Sequence, residues 1–244
     1  MQLAKPHSDC YRPRVKTILL ATRNAHKVDE IRAILGYNFR YLTLDDFPAA
    51  PKIIEDAETF AGNAAKKAVE LAKWIWADST IQQFDNSTAF VLADDSGLEV
   101  DALGGKPGVH SARFAAIEKG ENSNDADNNA KLLRLLKTVP LEKRAARFRC
   151  VIAFVPVPRG KIESSSPVCC VDELELQTEL FDGACEGKIL FEPRGQNGFG
   201  YDPLFLPDGF TQTFAELGNE VKNKLSHRAQ ALEKLKSYFS KLPT

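Results

Sequence analysis

The chain has 244 residues, 43% of them hydrophobic, which is enough for one large domain or two small ones around a packed core. Lys and Arg number 32 against 33 Asp and Glu, a formal net charge of -1, so no global field exists to hold nucleic acid or an anionic membrane and any phosphate recognition has to be local. No apolar run approaches the ~20 residues that span a bilayer, and Met1 to Lys16 lacks the apolar stretch of a secretory signal, so the expectation is a cytoplasmic protein.

Thr17 to Ala21 (TILLA) is an apolar run that gives way to a polar turn and then to Val28, Ile31, Ile34 and Leu35, the signature of strand, turn and amphipathic helix. Asn24 is placed to cap that helix, and Gly36 stands where a helix end takes positive φ. Phe39 to Leu44 predicts a second strand. From Thr59 onward, Phe60, Ala64, Ala68 and Leu71 share helical spacing. Ile75 to Thr88 is rich in polar turn formers and reads as a surface insertion, after which Ala89 to Ala93 (AFVLA) predicts a third strand.

Asp127 to Leu136 carries four leucines and is expected to be helical. Arg147 to Val155 alternates Phe148, Cys150, Ile152 and Phe154 with other residues and stops at Pro156, as a long strand does. Arg159 to Val168 reads as a hairpin loop and Val171 to Leu190 as further alternating strands. Ala229, Leu232, Leu235 and Phe239 mark a last amphipathic helix over Ser226 to Phe239. This order predicts an α/β protein with an elongated mixed sheet flanked by helices. Five cysteines, with no CxxC, argue against a disulfide framework and a structural zinc site.

Four clusters carry chemistry-bearing side chains. In Thr22-Arg23-Asn24-Ala25-His26-Lys27, the amides at a helix start and the Lys27 charge suit a phosphate, although a polar helix cap with an incidental lysine has the same appearance. Asp94-Asp95-Ser96-Gly97 follows the third strand, where paired carboxylates suit a hard cation such as magnesium or, alternatively, form a capped acidic turn. Glu55, Asp56 and Glu58 precede a helix start and offer a second ligand or a dipole complement. Around Phe199, three glycines leave room for a flat base to stack, with Asp202 at its edge; a hairpin with a core Phe is the competing reading. Ser226 is a good N-cap, which puts His227 and Arg228 in a first helical turn, where cations call for an anionic or acceptor-rich partner.

In this order the clusters resemble the Ham1/inosine triphosphate pyrophosphatase family. The resemblance runs through TILLATRNAHKVDEIRAIL, ETFAGNAAKKA, VLADDSGLEVDALGGKPGVHSARFA, FDGACEGKI to NGFGYDPLFLPDG, TFAEL and KNKLSHRAQAL, most of Thr17 to Leu235. It implies a leader over residues 1–16 and one catalytic domain over 17–244, with a cleft between two lobes and assembly as a homodimer. It also implies release of pyrophosphate from ITP, dITP or XTP with magnesium, and partners limited to the purine nucleotide, without nucleic acid or membrane.

Matched by motif, Thr22, Arg23, Asn24, Ala25, His26 and Lys27 form the phosphate turn. The resemblance implies that Asp95 is the metal ligand and proton acceptor, with Ser96 beside it and Glu55 as a further magnesium ligand. Phe199, Gly200, Tyr201 and Asp202 form the base-binding run, joined by Lys222, His227 and Arg228, the last two donating to a 6-oxo group. Asp94 receives no defined role. Gly62 departs from the family's glutamate in F-x-E-N-A, and the leader and both insertions are longer than the family pattern leads one to expect. A Maf-type pyrophosphatase is opposed by the SHR and FGYD runs, and a silent nucleotide-binding module by the acidic residues.

Overall fold

A computed structural model describes residues 15–77, 89–116, 122–157 and 177–241. The expected leader up to residue 14, the insertion over 78–88, the hairpin loop Arg159 to Val168 and the first part of the Val171 to Leu190 stretch lie outside the described residues.

Strand β1, Lys16–Leu20, is apolar on both faces, as a strand enclosed between layers must be. Helix α1, Ala25–Leu35, follows it, with the Asn24 side chain accepting from the Lys27 amide and Gly36 at φ 86 just past its end. Strand β2, Phe39–Thr43, then returns parallel to β1. Helix α2, Phe60–Ala77, extends into the segment expected to be insertion, and it leads to β3, Ala89–Val100, which pairs parallel with the other side of β1.

Helix α3, Asp125–Leu135, starts two residues before the expected boundary because Asn124 caps it. Strands β4, Ala145–Pro156, and β5, Glu179–Ile189, extend the sheet antiparallel, and the short β6, Phe205–Pro207, completes the order β2-β1-β3-β4-β5-β6. Helices α4, Phe214–Leu225, and α5, His227–Phe239, close the chain. The result is the expected α/β fold with a mixed central sheet. Among the described residues no helix is long and apolar enough to cross a membrane.

One expectation needs correction, one element is unexpected, and one competing reading does not hold. Strand β3 does not end at Ala93, so Asp94 to Gly97 is extended strand and not a turn. The cause is β4, which pairs with β3 from Phe90 opposite Pro156 to Val100 opposite Ala146, supplying partners after β1 has stopped at Leu20. Helix α4 has no counterpart among the expected elements; Thr213 and Glu216 build a reciprocal capping box at its start. Pro193 to Pro203 forms irregular turns, not a hairpin around a core Phe199.

The apolar core falls into three parts. On one face of the sheet, Phe60, Ala64, Ala68 and Leu71 of α2 pack against Leu19 of β1, Val91 and Ala93 of β3, and Val151, Ala153 and Val155 of β4. On the opposite face, α1 and α5 pack against Ile18, Leu20, Leu92, Ile152 and Phe154. A third part joins Leu98, Val100, Ala146 and Phe148 to α3 and α4. Asp94, Asp95 and Ser96 lie on β3 between the first two parts and the third, so the polar centre of the strand occupies a gap between apolar blocks.

Candidate active site

Side chains alternate along a strand. Leu92 faces the α1 and α5 layer while Val91 and Ala93 face α2, so Asp94 and Ser96 point to the former and Asp95 to the latter. The adjacent aspartates therefore serve different surroundings.

On the α2 face, Asp95 Oδ2 accepts from Asn63 Nδ2 at 3.0 Å. Asn63 also accepts from the Ala57 amide at 2.9 Å, which ties the segment before α2 to the strand. Lys67, one helical turn on, has its ammonium 3.0 Å from Glu55 Oε2 and 4.0 Å from Asp95 Oδ1, and it donates to the Asp94 carbonyl at 2.7 Å. Arg113 donates to the Glu55 carbonyl at 3.0 Å and fixes the loop that carries this carboxylate. Burial raises the Asp95 carboxyl to a pKa of about 6 against the pull of Lys67 and Lys27, with the Glu55 charge adding to the rise.

On the other face, Asp94 is 4% exposed and meets donors from three elements. Lys27 of α1 forms a close ion pair with it, Arg228 Nε of α5 donates to its Oδ2 at 3.0 Å, and the Cys150 thiol of β4 donates to the same oxygen at 3.0 Å. Arg228 Nη2 also donates to Ser96 Oγ at 2.9 Å, and its Nη1 is in close contact with Glu30 of α1. Glu30 in turn lies 2.8 Å from Lys222 Nζ, which donates to Asp202 Oδ2 at 2.6 Å. Although burial opposes ionisation of Asp94, the Arg228 and Lys27 charges outweigh it and hold this carboxyl well below the usual range. Glu30 is lowered in the same way by Arg228 and Lys222, whereas Asp202 is raised by its burial despite Lys222.

Arg228 thus stands at a helix start facing anions, as its position in the sequence leads one to expect, and those anions are Asp94 and Glu30 of the protein itself. Placing α5 there requires a close approach to the sheet. A Cβ on Gly183 of β5 would overlap the His227 carbonyl and come within 2.8 Å of the Ala231 amide nitrogen, so only glycine admits the helix at this distance. Ser226 Oγ caps α5 by accepting from the Ala229 amide at 3.2 Å. His227 lies face to face with Phe148, 4.8 Å between ring centroids, and burial, followed by the Arg228 and Lys222 charges, pushes its pKa well below 6.5. It is neutral at physiological pH, and its buried Nδ1 has no hydrogen-bond partner among the described residues.

The Phe199 turn is held from below. Asp202 Oδ2 accepts from the Phe199 amide at 2.9 Å, Asp125 Oδ2 of α3 accepts from the Gly200 amide at 2.6 Å, and Asn129 Nδ2 donates to the Gly200 carbonyl at 3.0 Å. The Lys222 ammonium lies 4.4 Å from the Phe199 ring centroid. Tyr201 is buried, with its hydroxyl donating to the Ser111 carbonyl at 2.9 Å.

Two adjoining cavities result, of about 250 Å³ and 580 Å³, the second within the usual range for a small-molecule site. The smaller is aromatic and is lined by Phe199, Gly200, Tyr201, Asp202, Lys222, His227 and Arg228. The larger is lined by Thr22, Arg23, Glu55, Lys67 and Asp95. Asn24, Lys27 and Ser96 line both and form the seam. Of the residues singled out from sequence, Ala25 and His26 line neither cavity; Ala25 is exposed at the start of α1, and the His26 ring stacks on Phe199.

Glu30, Asn63, Lys67, Arg113, Asp125 and Cys150 also belong to the arrangement, beyond the residues that the sequence singles out. A usable signal exists for three of them. Glu30 interrupts the Val28, Ile31, Ile34 stripe of α1, and Asn63 and Lys67 stand at i, i+4 beside the Phe60, Ala64, Ala68, Leu71 stripe of α2, all polar side chains at core-facing positions. Gly62, where the family pattern has glutamate, sits so close to the preceding loop that a Cβ would lie 2.8 Å from Ala57 Cβ.

The fold and site define an α/β protein with an acidic, lysine-bearing cavity joined to an aromatic one. The chain belongs to the Ham1 family, whose pattern it matches over residues 18–238. It is 44% identical over 226 residues to a dITP/XTP pyrophosphatase of Desulforamulus reducens, covering 92% of this chain and 96% of that protein. It is 46% identical over 224 residues to one of Geobacter sulfurreducens, covering 91% and 96%. The solved structure of a HAM1 protein from Coxiella burnetii superimposes with a TM-score of 0.71 at 35% identity, covering 93% of this chain and 99% of that one.

Proposed function

We propose that the protein is a magnesium-dependent nucleoside-triphosphate pyrophosphatase that converts dITP, XTP and ITP to the monophosphate and pyrophosphate. The observation that carries this reading is the Asp95 carboxylate, held by Asn63 beside Glu55 and Lys67 on a cavity that opens into an aromatic one. Relatives that share 44% and 46% of their residues with the chain bear the name dITP/XTP pyrophosphatase.

The donor set suits the metal. Asp95 and Glu55 offer hard oxygens, and the upward shift of the Asp95 carboxyl is the strain that a nearby cation relieves. Asp95 and Glu55 would hold the ion, with water and substrate oxygens completing its shell. When bound, magnesium supplies charge neutralisation and alignment of the phosphate oxygens.

The chain's own residues do the rest. The first amides of α1 and the Lys27 ammonium take phosphate charge at the seam between the cavities. Asn63 fixes the Asp95 carboxylate through Oδ2, and Oδ1 would orient a water and accept its proton. The water oxygen bonds to the α-phosphorus, the bond from that phosphorus to the bridging oxygen breaks, and pyrophosphate departs. Lys67, 4.0 Å from Oδ1, stabilises charge there.

Base selection falls on His227 more than on Arg228, whose donors are engaged by Asp94, Glu30 and Ser96. A neutral imidazole whose unpartnered Nδ1 carries the ring proton would donate to a 6-oxo group and meet the 6-amino group of adenine donor to donor. Homodimeric assembly belongs to the same reading, and a solution mass of twice 27.0 kDa would support it.

Incubation with magnesium and a panel of triphosphates tests the activity. Pyrophosphate from ITP, dITP and XTP, with little from ATP, is the expected result. Orthophosphate release, comparable turnover of ATP, or no product from any triphosphate overturns the reading.

A further inference from the structure

The imidazole of His26 and the ring of Phe199 are stacked, with centroids 5.3 Å apart and planes inclined by 9°. They come from opposite ends of the chain, one in the first turn of α1 and the other in the turn above Asp202. A purine between two parallel rings needs a separation of about 7 Å, two van der Waals layers, so this stack is closed.

The groups around Phe199 differ in their freedom to move. Lys222 lies over the ring but is 1% exposed and tied to Glu30 and Asp202; Arg228 is equally buried and tied to Asp94 and Glu30. His26 is exposed, and among the described residues its ring is held by stacking alone. Freeing a face of Phe199 therefore means moving His26.

We propose that His26 is the second wall of the base slot: its ring rests on Phe199, and an entering purine slides between the two rings. The inference rests on the reading that a purine nucleotide occupies this site. Because His26 immediately precedes Lys27, phosphate held at the start of α1 and base held against Phe199 share one helical turn.

The test is titration of the full-length protein with inosine monophosphate and with inorganic tripolyphosphate, which lacks a base, for the wild type, His26→Ala and His26→Phe. His26→Ala is expected to weaken the monophosphate about ten-fold, the scale of one lost base–aromatic stack, and to leave tripolyphosphate within about two-fold. His26→Phe restores a flat ring and recovers most of the loss. Unchanged monophosphate binding in His26→Ala, equal losses for both ligands, no recovery in His26→Phe, or a wild type that binds only tripolyphosphate each overturns the proposal. Titration needs no turnover, so its failure is distinct from failure of the proposed hydrolysis.

Discussion

Asp94 and Asp95 are neighbours in sequence and face opposite sides of β3, Asp94 toward Lys27 and Arg228 and Asp95 toward Asn63 and Lys67. Their substitutions should separate accordingly. Asp94→Asn removes the charge that compensates buried Arg228 and is expected to cost about 3–5 kcal/mol of stability, the scale for breaking a buried ion pair. Asp95→Asn removes a carboxylate that burial already disfavours, so folding stability is retained or increased while turnover is lost. Denaturant titration of both variants checks this; equal destabilisation contradicts it.

Gly183 sets how closely α5 approaches the sheet. Gly183→Ala forces a Cβ against the His227 carbonyl and displaces the start of α5, which carries His227 and Arg228. A loss of about 1–3 kcal/mol, typical of overpacking, is expected together with weaker binding of inosine monophosphate. Wild-type affinity and stability in this variant would count against the tight seat described for α5.

His227 makes stability depend on pH with a definite sign. Its folded pKa lies well below 6.5, so below pH 6.5 the unfolded chain takes up a proton that the folded chain refuses. Stability therefore falls as pH drops through that window, approaching about 1.4 kcal/mol per pH unit from this residue. Replacement by glutamine removes the slope, which the difference between wild-type and His227→Gln unfolding free energies at pH 5 and pH 7.5 measures. Asp95, raised to about 6, acts in the opposite sense between its unfolded value of 3.8 and 6, which is why the difference and not the raw curve is informative.

Asp95 also predicts a pH dependence of activity. Below a pKa of about 6 the carboxyl holds its proton and can neither ligate a cation nor accept a proton from water. The rate at low magnesium is expected to fall about ten-fold per pH unit below that value, and higher magnesium should move the midpoint downward, because the cation favours the carboxylate. A flat profile from pH 5 to 7 at low magnesium contradicts the role given to Asp95.

Locally coded features are legible in the sequence. Asn24 and Gly36 bound α1, Ser226 caps α5, and the alternation through Phe148 to Phe154 marks β4, because each signal lies within a few residues. Asp94 to Gly97 reads as a turn from sequence because two aspartates, a serine and a glycine are turn formers. Their extended conformation depends on β4 across the sheet and on cations from α1, α2 and α5, all distant in sequence. Helix α4 is hard to read because its residues after Phe214 are mostly polar, although Thr213 and Glu216 spell its cap. The partners that Arg228 and Asp202 have within the protein are hidden from the sequence for a related reason. Residue type shows charge at the site, but only the fold shows that Arg228 is engaged by Asp94 and Glu30 and Asp202 by Lys222.

The most direct test of the central claim is pyrophosphate release from ITP by wild type and Asp95→Asn, assayed side by side with magnesium. The account predicts rapid release by the wild type and a loss of about three orders of magnitude or more in a folded Asp95→Asn variant, the scale for removing a catalytic group. A folded variant that releases pyrophosphate at the wild-type rate would contradict it.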